Sequence, residues 1–477
     1  MSGARGAPQV GGILREFASS ARFAQALTLI AIGIAFSAHA VRALIGWPGY
    51  LAALAALIAL CGLSLVARWR AVEWYGILPL SILVFVGWCT ASLLWSTTPV
   101  TTAFRVAYLI AFAVLGVYIA LMRDTIQIVR AFGDTLRLLL GVSLALEVVS
   151  GILLDVPIRI LGIAGNIASL GPIQGIFGSR NVLGFVSLIA LVTFIVEWRT
   201  RSVLRPKAIA SVALAAVCVL LSGSPTTFVA LGFALVALAA LYGLRRVPAS
   251  TRWRWQLALL ASAAVVLTIA WIFRVRIIAL LDARNDFDVR LDIWRELSRY
   301  LSLNPLQGWG WVGTWPDAAP YRWIEAATGR DHASALSAYV DAYFQVGVIG
   351  ALAFVALIGV ALVRAWILAS GRRSVVYLWP ALVLVVIAVV SFAESFVLVE
   401  GGWMLLVVCA VKAARDMSWR DALAAARPPP PTVERHGDRP KATAMPRAAA
   451  SVVESPSGRS DRRQQAENGV RPDGGPP

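Results

Sequence analysis

Histidine is nearly absent from this chain. Only His39, His332 and His436 occur in 477 residues, too few for a metal enzyme built on imidazole ligands. The four cysteines, Cys61, Cys89, Cys218 and Cys409, all fall inside apolar runs and no two form a CxxC. They read as small core residues, not as disulfides or a metal site. Charge is scarce too: 14% of residues are charged, against about a quarter in an average soluble domain. What fills the chain instead is hydrophobic, 59% of residues at a mean hydropathy of +0.74, which is the composition of a polytopic membrane protein. The net charge of +17 could suggest a nucleic-acid partner, but its placement along the chain argues for membrane topology and for no nucleic acid.

A bilayer-spanning helix needs about 20 apolar residues. Runs of that kind occur at roughly 23–41, 48–67, 75–95, 102–122, 131–154, 181–198, 207–222, 224–243, 255–273, 337–363, 375–392 and 396–413, twelve in all. The expected fold is therefore all-α, with about twelve transmembrane helices. Arg5, Arg15 and Arg22 precede the first run without a small-residue cleavage site, so it reads as an anchor and not as a removed signal.

Basic residues mark cytoplasmic loops. Here they follow every even-numbered run: Arg68 and Arg70, Arg123 and Arg130, Arg199 to Lys207, Arg245 to Arg254, Arg364 to Arg373, and Lys412 to Arg420. Both termini are expected in the cytoplasm. Residues 1–22 form a cytoplasmic segment, 23–417 the membrane domain, and 418–477, rich in Ala, Pro, Arg and Ser, a disordered tail.

Two loops on the far side are long, about 155–180 and about 274–336. The second breaks the charge rule, with Arg274, Arg276, Arg284, Arg290, Arg295, Arg299, Arg322 and Arg330 all placed outside, where short helices are expected. Arginine's planar fork suits phosphate oxygens. Between 290 and 301, Ile293, Trp294, Leu297 and Leu301 recur at helical spacing. Arg290 falls on that apolar face, whereas Asp292, Arg295, Glu296 and Arg299 fall on the wetter side. A buried arginine needs a partner: either a phosphate, or an ion pair with Asp288 or Asp317. Asn304-Pro305 ends the helix, and Gly308 and Gly310 permit a tight turn presenting Trp309 and Trp311 at the interface. These indoles read as an aromatic belt or as stacking platforms for a sugar.

The stretch R-x-x-x-W followed by NPLQGWGW resembles the signature of the O-antigen ligase and polysaccharide polymerase family. ASLLWSTTPVTTAFR (91–105), GIFGSRNVLGF (175–185) and YVDAYFQVGVIGAL (339–352) resemble three further stretches of that family, in the same order, so the likeness covers roughly residues 75–410. It implies an integral-membrane glycosyltransferase of the cytoplasmic (inner) membrane, needing neither metal nor cofactor. The donor would be a glycan on undecaprenyl pyrophosphate and the acceptor a glycan or lipid-glycan, with membrane lipids and polysaccharide-assembly proteins as further partners. A transporter or flippase for a lipid-linked or polar solute is the alternative.

The resemblance puts Arg290 at the family's arginine, as the pyrophosphate contact. Arg180 and Asn181 match the basic position and asparagine of the second motif, and Arg105 lies at the outer end of the fourth run. With Trp294 and Trp309 they make the expected substrate-binding set. The family's His-Asn before the late helix is absent: Leu336 and Ser337 stand there. His332, one turn earlier, could present its ring on the same face if the helix reaches that far. As a general base it would have to be neutral, so transfer would fall as pH drops below about 6.5. Asp341 or Asp331 is the alternative base, or no residue at all, with a phosphate oxygen of the donor taking the proton. Glu147 and Glu394, in or beside spans, are candidates by default, with a helix-to-helix hydrogen bond preferred for Glu147.

Overall fold

The computed structural model describes residues 15–69, 79–248, 250–273, 276 and 284–417, all within one compact unit, Met1–Ala424. The expected tail at 418–477 and most of the N-terminal segment lie outside the described residues.

Every one of the twelve apolar runs contains a helix. In chain order the helices are α1 (Ala21–Phe36), α2 (Ala38–Ala67), α3 (Leu80–Ala91), α4 (Pro99–Met122), α5 (Thr125–Val148), α6 (Arg180–Arg199), α7 (Arg205–Ser222), α8 (Pro225–Arg246), α9 (Arg252–Ile272), α10 (Arg284–Leu301), α11 (Tyr321–Thr328), α12 (Ala338–Gly371), α13 (Leu378–Val390) and α14 (Glu400–Asp416). The described residues contain no strand, so the expected all-α class holds. By length and composition, seven helices can cross a bilayer: α2, α4, α5 with its extension to Leu153, α6, α7, α8 and α12. Three shorter apolar helices accompany them, at Ala21–Phe36, Leu80–Leu94 and Val375–Val390. The protein is a polytopic membrane protein.

Local chemistry explains the boundaries. Pro99 and Pro225 open α4 and α8, where a proline's missing N–H costs nothing. Ser20, Ser179 and Ser224 cap α1, α6 and α8 by accepting a bond from a first-turn amide. Helix α14 is buried on all sides from Gly401 to Ala413 and so forms the axis of the bundle. Gly116 lets α4 approach it closely, since a Cβ there would stand 2.9 Å from the Met404 carbonyl oxygen. The outer faces of the helices instead expose Leu220, Val236 and Leu352, as a lipid-facing surface requires.

The basic loops do structural service. Arg68 donates to the Ser19 carbonyl, Arg123 to that of Ala21, Arg415 to that of Ala120, and Arg245 to those of Ala369 and Ser374. Several of these carbonyls end helices, where positive charge is favoured by the helix dipole. The long loops gather at the other end. Trp95, beside α3, donates to Gln307 in the 302–337 loop at 2.9 Å.

If the basic end faces the cytoplasm, the loop end faces out. Asp317 in the long loop is 81% exposed, and Cys61, Cys89, Cys218 and Cys409 are all buried. An Asp317→Cys variant should therefore be labelled on intact cells by a membrane-impermeant maleimide over a low background. Labelling only after permeabilisation would invert the orientation.

Candidate functional site

Helix α12 is broken nine residues in. Val346 (φ −126°, ψ 17°) and Gly347 (φ 68°, ψ −174°) leave helical geometry, which frees backbone groups inside an apolar bundle. The stretch Pro305–Gly313 satisfies them. Trp309 and Gly310 donate their amides to the carbonyls of Phe344 (3.2 Å) and Gln345 (2.7 Å), and Val348 donates to the Pro305 carbonyl at 2.9 Å. Trp88 on α3 takes the Val346 carbonyl at 2.8 Å. The next amides are held too: Trp311 by Ser92 Oγ, and Val312 and Gly313 by Gln345 Oε1. The spacing Gly308-x-Gly310-x-x-Gly313 is that of a dinucleotide loop, but no strand precedes it and its amides are spent on protein oxygens. It is a plug for a broken helix.

Three of the four motif stretches thus meet at this break, and the fourth joins through charge. Arg290, on α10, donates through Nε and Nη2 to the Ala393 carbonyl (3.2 and 3.0 Å) and pairs through Nη2 with Glu394 Oε1 at 3.1 Å. The pair is mostly buried, at 11% and 10% side-chain exposure. Asn181 Nδ2 reaches the same Glu394 oxygen at 2.6 Å, and its Oδ1 accepts from Ser224 Oγ at 2.8 Å. So α10, the α13–α14 connection, α6 and α8 meet in one polar chain. The ion pair expected with Asp317 is not formed: that carboxylate is exposed and stands 3.6 Å from Arg322. The side chain of Asp288 lies outside the described residues. Arg295 and Arg299 are exposed, as expected, at 71% and 74%.

A second charged cluster stands on the other side of the same connection. Glu400, in the left-handed region at φ 50°, pairs with Arg42 and accepts from Tyr108 at 2.9 Å. Arg42 lies over the rings of Trp47 and Tyr50, at 4.7 and 5.3 Å. Helix α2 is broken at Gly46 (φ 72°), which brings Trp47 back over the arginine. Arg105 also lies over the Trp47 ring, at 5.7 Å, and with Glu400 and Trp311 lines a small crevice. A larger cavity of about 240 Å³ opens beside it, walled by His39, Arg42, Gly178, Ser179 and Glu400 among others.

The remaining expected site residues are drawn into the loop's own core. Trp294 donates Nε1 to the Ala335 carbonyl at 2.8 Å, and the Ala335 amide donates to Asp341 Oδ2 at 3.2 Å. Asp341 is fully buried and also accepts from Trp315 and Gln345, at 2.8 and 2.9 Å. Trp309 packs against the cluster that includes Ile293, Leu297 and Phe344, whereas Trp311, 1% exposed, is no interfacial residue and meets Phe85 edge-on. Helix α12 starts at Ala338, too late to carry His332. That ring follows α11, with Nε2 2.8 Å from Thr328 Oγ1 and its own amide donating to Glu325. Burial lowers the His332 pKa, Glu325 opposes the shift and Arg330 adds to it. Glu147 holds the amides of Gln174 and Gly175, bracing the first long loop.

Residues 210–355 match the family model for O-Antigen ligase. The match supports the O-antigen ligase/polymerase family that the four motifs resemble. It spans Ser224, Arg290, His332 and Asp341; Arg105, Arg180, Asn181 and Glu394 lie beyond it. The search of curated proteins finds no match.

Sequence reasoning missed Arg42, Glu400, Gln345 and Ser224. A signal existed for the first: Arg42 follows the first, odd-numbered run, so it breaks the charge rule just as the long loop does. Glu400 sits in VLVEGGW, a lone acid between apolar segments.

Gly347 is the residue on which the break depends. A Cβ there would fall 2.1 Å from the Leu306 carbonyl oxygen, in a backbone region costing about 1–3 kcal/mol for other residues. Gly347→Ala should lower thermal stability in detergent by at least that amount. Gly359→Ala on the same helix, where a Cβ meets nothing within 4 Å, should not. Equal stability of the two variants would show that the plug is not what closes the fold.

Proposed function

We propose that this protein transfers a glycan from undecaprenyl pyrophosphate to a sugar hydroxyl at the outer face of the cytoplasmic membrane, as a polymerase or ligase. The family match supports glycan assembly of the O-antigen ligase/polymerase type, with lipid-linked glycans as substrates in a membrane setting. The observation that supports the finer reading is the placing of Arg290 on Glu394, and of Arg42 and Arg105 beside Glu400, at the end of the bundle that holds the long loops. Planar guanidinium groups held in this way suit the oxygens of a pyrophosphate.

In the reaction the acceptor oxygen attacks the anomeric carbon, the bond from that carbon to the phosphate oxygen breaks, and its electron pair stays on the pyrophosphate. Fixed positive charge next to that oxygen lowers the barrier without reorganising at the moment of transfer. Glu394 and the Ala393 carbonyl hold the Arg290 guanidinium in place before substrate arrives. Asp341 and Gln345 act as positioning residues that keep the loop over the site. His332, with its ring on Thr328, supports the end of α11 in the same way.

The broken helices α2 and α12 are also a feature of transporters. In α12, however, the gap is filled by Pro305–Gly313 and offers no passage to a solute.

Arg290→Lys keeps the charge and loses the fork. With normal membrane abundance, its transfer rate should fall by about 10²-fold, the order seen when one fixed transition-state donor is removed. The assay is run without added nucleotide and with a chelator, because Asp286 and Asp288 stand in an Asp-x-Asp spacing on α10. Near-normal turnover by the lysine variant would leave Arg290 a structural residue, and activity abolished by the chelator would bring in a metal.

A further inference from the structure

The reaction requires a group to take the acceptor's proton, and the residues expected for it are engaged elsewhere. His332 holds Thr328, and Asp341 is sealed under Trp315 and Gln345. The remaining described histidine stands at a different place. His39 lies on the first turn of α2, on the wall of the cavity of about 240 Å³ between the α1–α2 joint, the Phe177–Ser179 turn and the start of α14. Its Nε2 is closed to water and finds no hydrogen-bond partner among the described residues, so the ring must turn to present it to the cavity. A buried polar atom is normally satisfied, so an orphan in a ring that lines a cavity points to a ligand met when the ring turns.

Four features of the cavity describe what it takes. Phe36, Phe177, Phe185 and Phe396 give the wall an apolar lining suited to the C–H groups of a sugar. The Arg42–Glu400 pair supplies charged donors and an acceptor for hydroxyls. The volume is just below the roughly 300–1,000 Å³ of sites for drug-sized ligands, which suits a single sugar ring. The wall also adjoins the arginine network: Gly178 sits so close to the His39 ring that a Cβ would fall 2.5 Å from Nδ1, and Asn181, which holds Glu394, follows three residues later. No sequence motif marks His39. It became visible only when the fold placed it beside the GIFGSRN stretch.

Resting on the transfer reading above, we infer that this cavity binds the acceptor sugar and that His39 is the general base. Neutral His39 takes the hydroxyl proton on Nε2 as the oxygen bonds to the anomeric carbon. The bond to the pyrophosphate breaks and its electrons leave with that group, so the ring ends as imidazolium in a cavity that Glu400 also lines, and the leaving group carries the negative charge.

The test uses the full-length protein in proteoliposomes, with a lipid extract from a strain deleted for it supplying both donor and acceptor. His39→Ala should lower the maximal rate by on the order of 10²-fold, the usual general-base contribution. Added imidazole should restore part of the lost rate, and it should not stimulate the unaltered protein. A packing defect has no reason to respond to imidazole, so the recovery separates a base from a strut. Retention of activity within tenfold, or a loss that imidazole does not relieve, would overturn the assignment of His39 while leaving the transfer reading intact. Absence of transfer by the unaltered protein would overturn the transfer reading, and this inference with it.

Discussion

Peptide groups inside an apolar bundle have no water to turn to, so each must find a partner in the protein. The break in α12 at Val346–Gly347 creates that demand at one point, and a stretch of chain some forty residues upstream answers it. Pro305, Trp309 and Gly310 bond directly to the opened turn, while Gln345 turns its amide to hold Val312 and Gly313. Once docked, the segment fixes the end of α10, and with it the register of Arg290. The arginine's geometry is therefore a consequence of a backbone requirement elsewhere.

The same economy governs the charges. An arginine in a mostly buried place is tolerated when an opposite charge and further hydrogen bonds meet it, and removing one partner of such a pair typically costs about 3–5 kcal/mol. Glu394 meets Arg290, and Glu400 meets Arg42. Glu394 lies in the short connection between α13 and α14 and Glu400 opens α14, so two clusters are tied to a single piece of backbone. The central helix that follows is packed on every side, which gives this connection a rigid foundation.

Much of this fold was legible in the sequence, because apolar runs of bilayer length and basic loops at alternate exits are direct physical signatures. The site was legible where a residue's own surroundings constrain it: the helical face carrying Arg290, the stop at Asn304-Pro305, the glycine turn after it. It was illegible where the partner came from far away. Asp317 of its own loop stands exposed beside Arg322, and a carboxylate that Arg290 does meet is Glu394, a hundred residues downstream. Trp311 reads as interfacial beside Trp309, yet the docking of the segment turns it into the core against Phe85. His332 fails to join α12 because the helix begins at Ala338, after Leu336 has taken a left-handed conformation at φ 52°. His39 carried no signal at all, since an isolated histidine at the end of an apolar run looks like any other.

The central claim is that Arg290, held by Glu394, recognises a lipid pyrophosphate. Equilibrium binding of undecaprenyl pyrophosphate and undecaprenyl monophosphate to the purified protein, neither carrying a glycan, tests it apart from catalysis. The account predicts that the pyrophosphate binds more tightly, and that Arg290→Lys abolishes most of that preference while leaving the monophosphate unchanged. Equal affinity for the two lipids in the unaltered protein, or a preference that survives in the lysine variant, would contradict it.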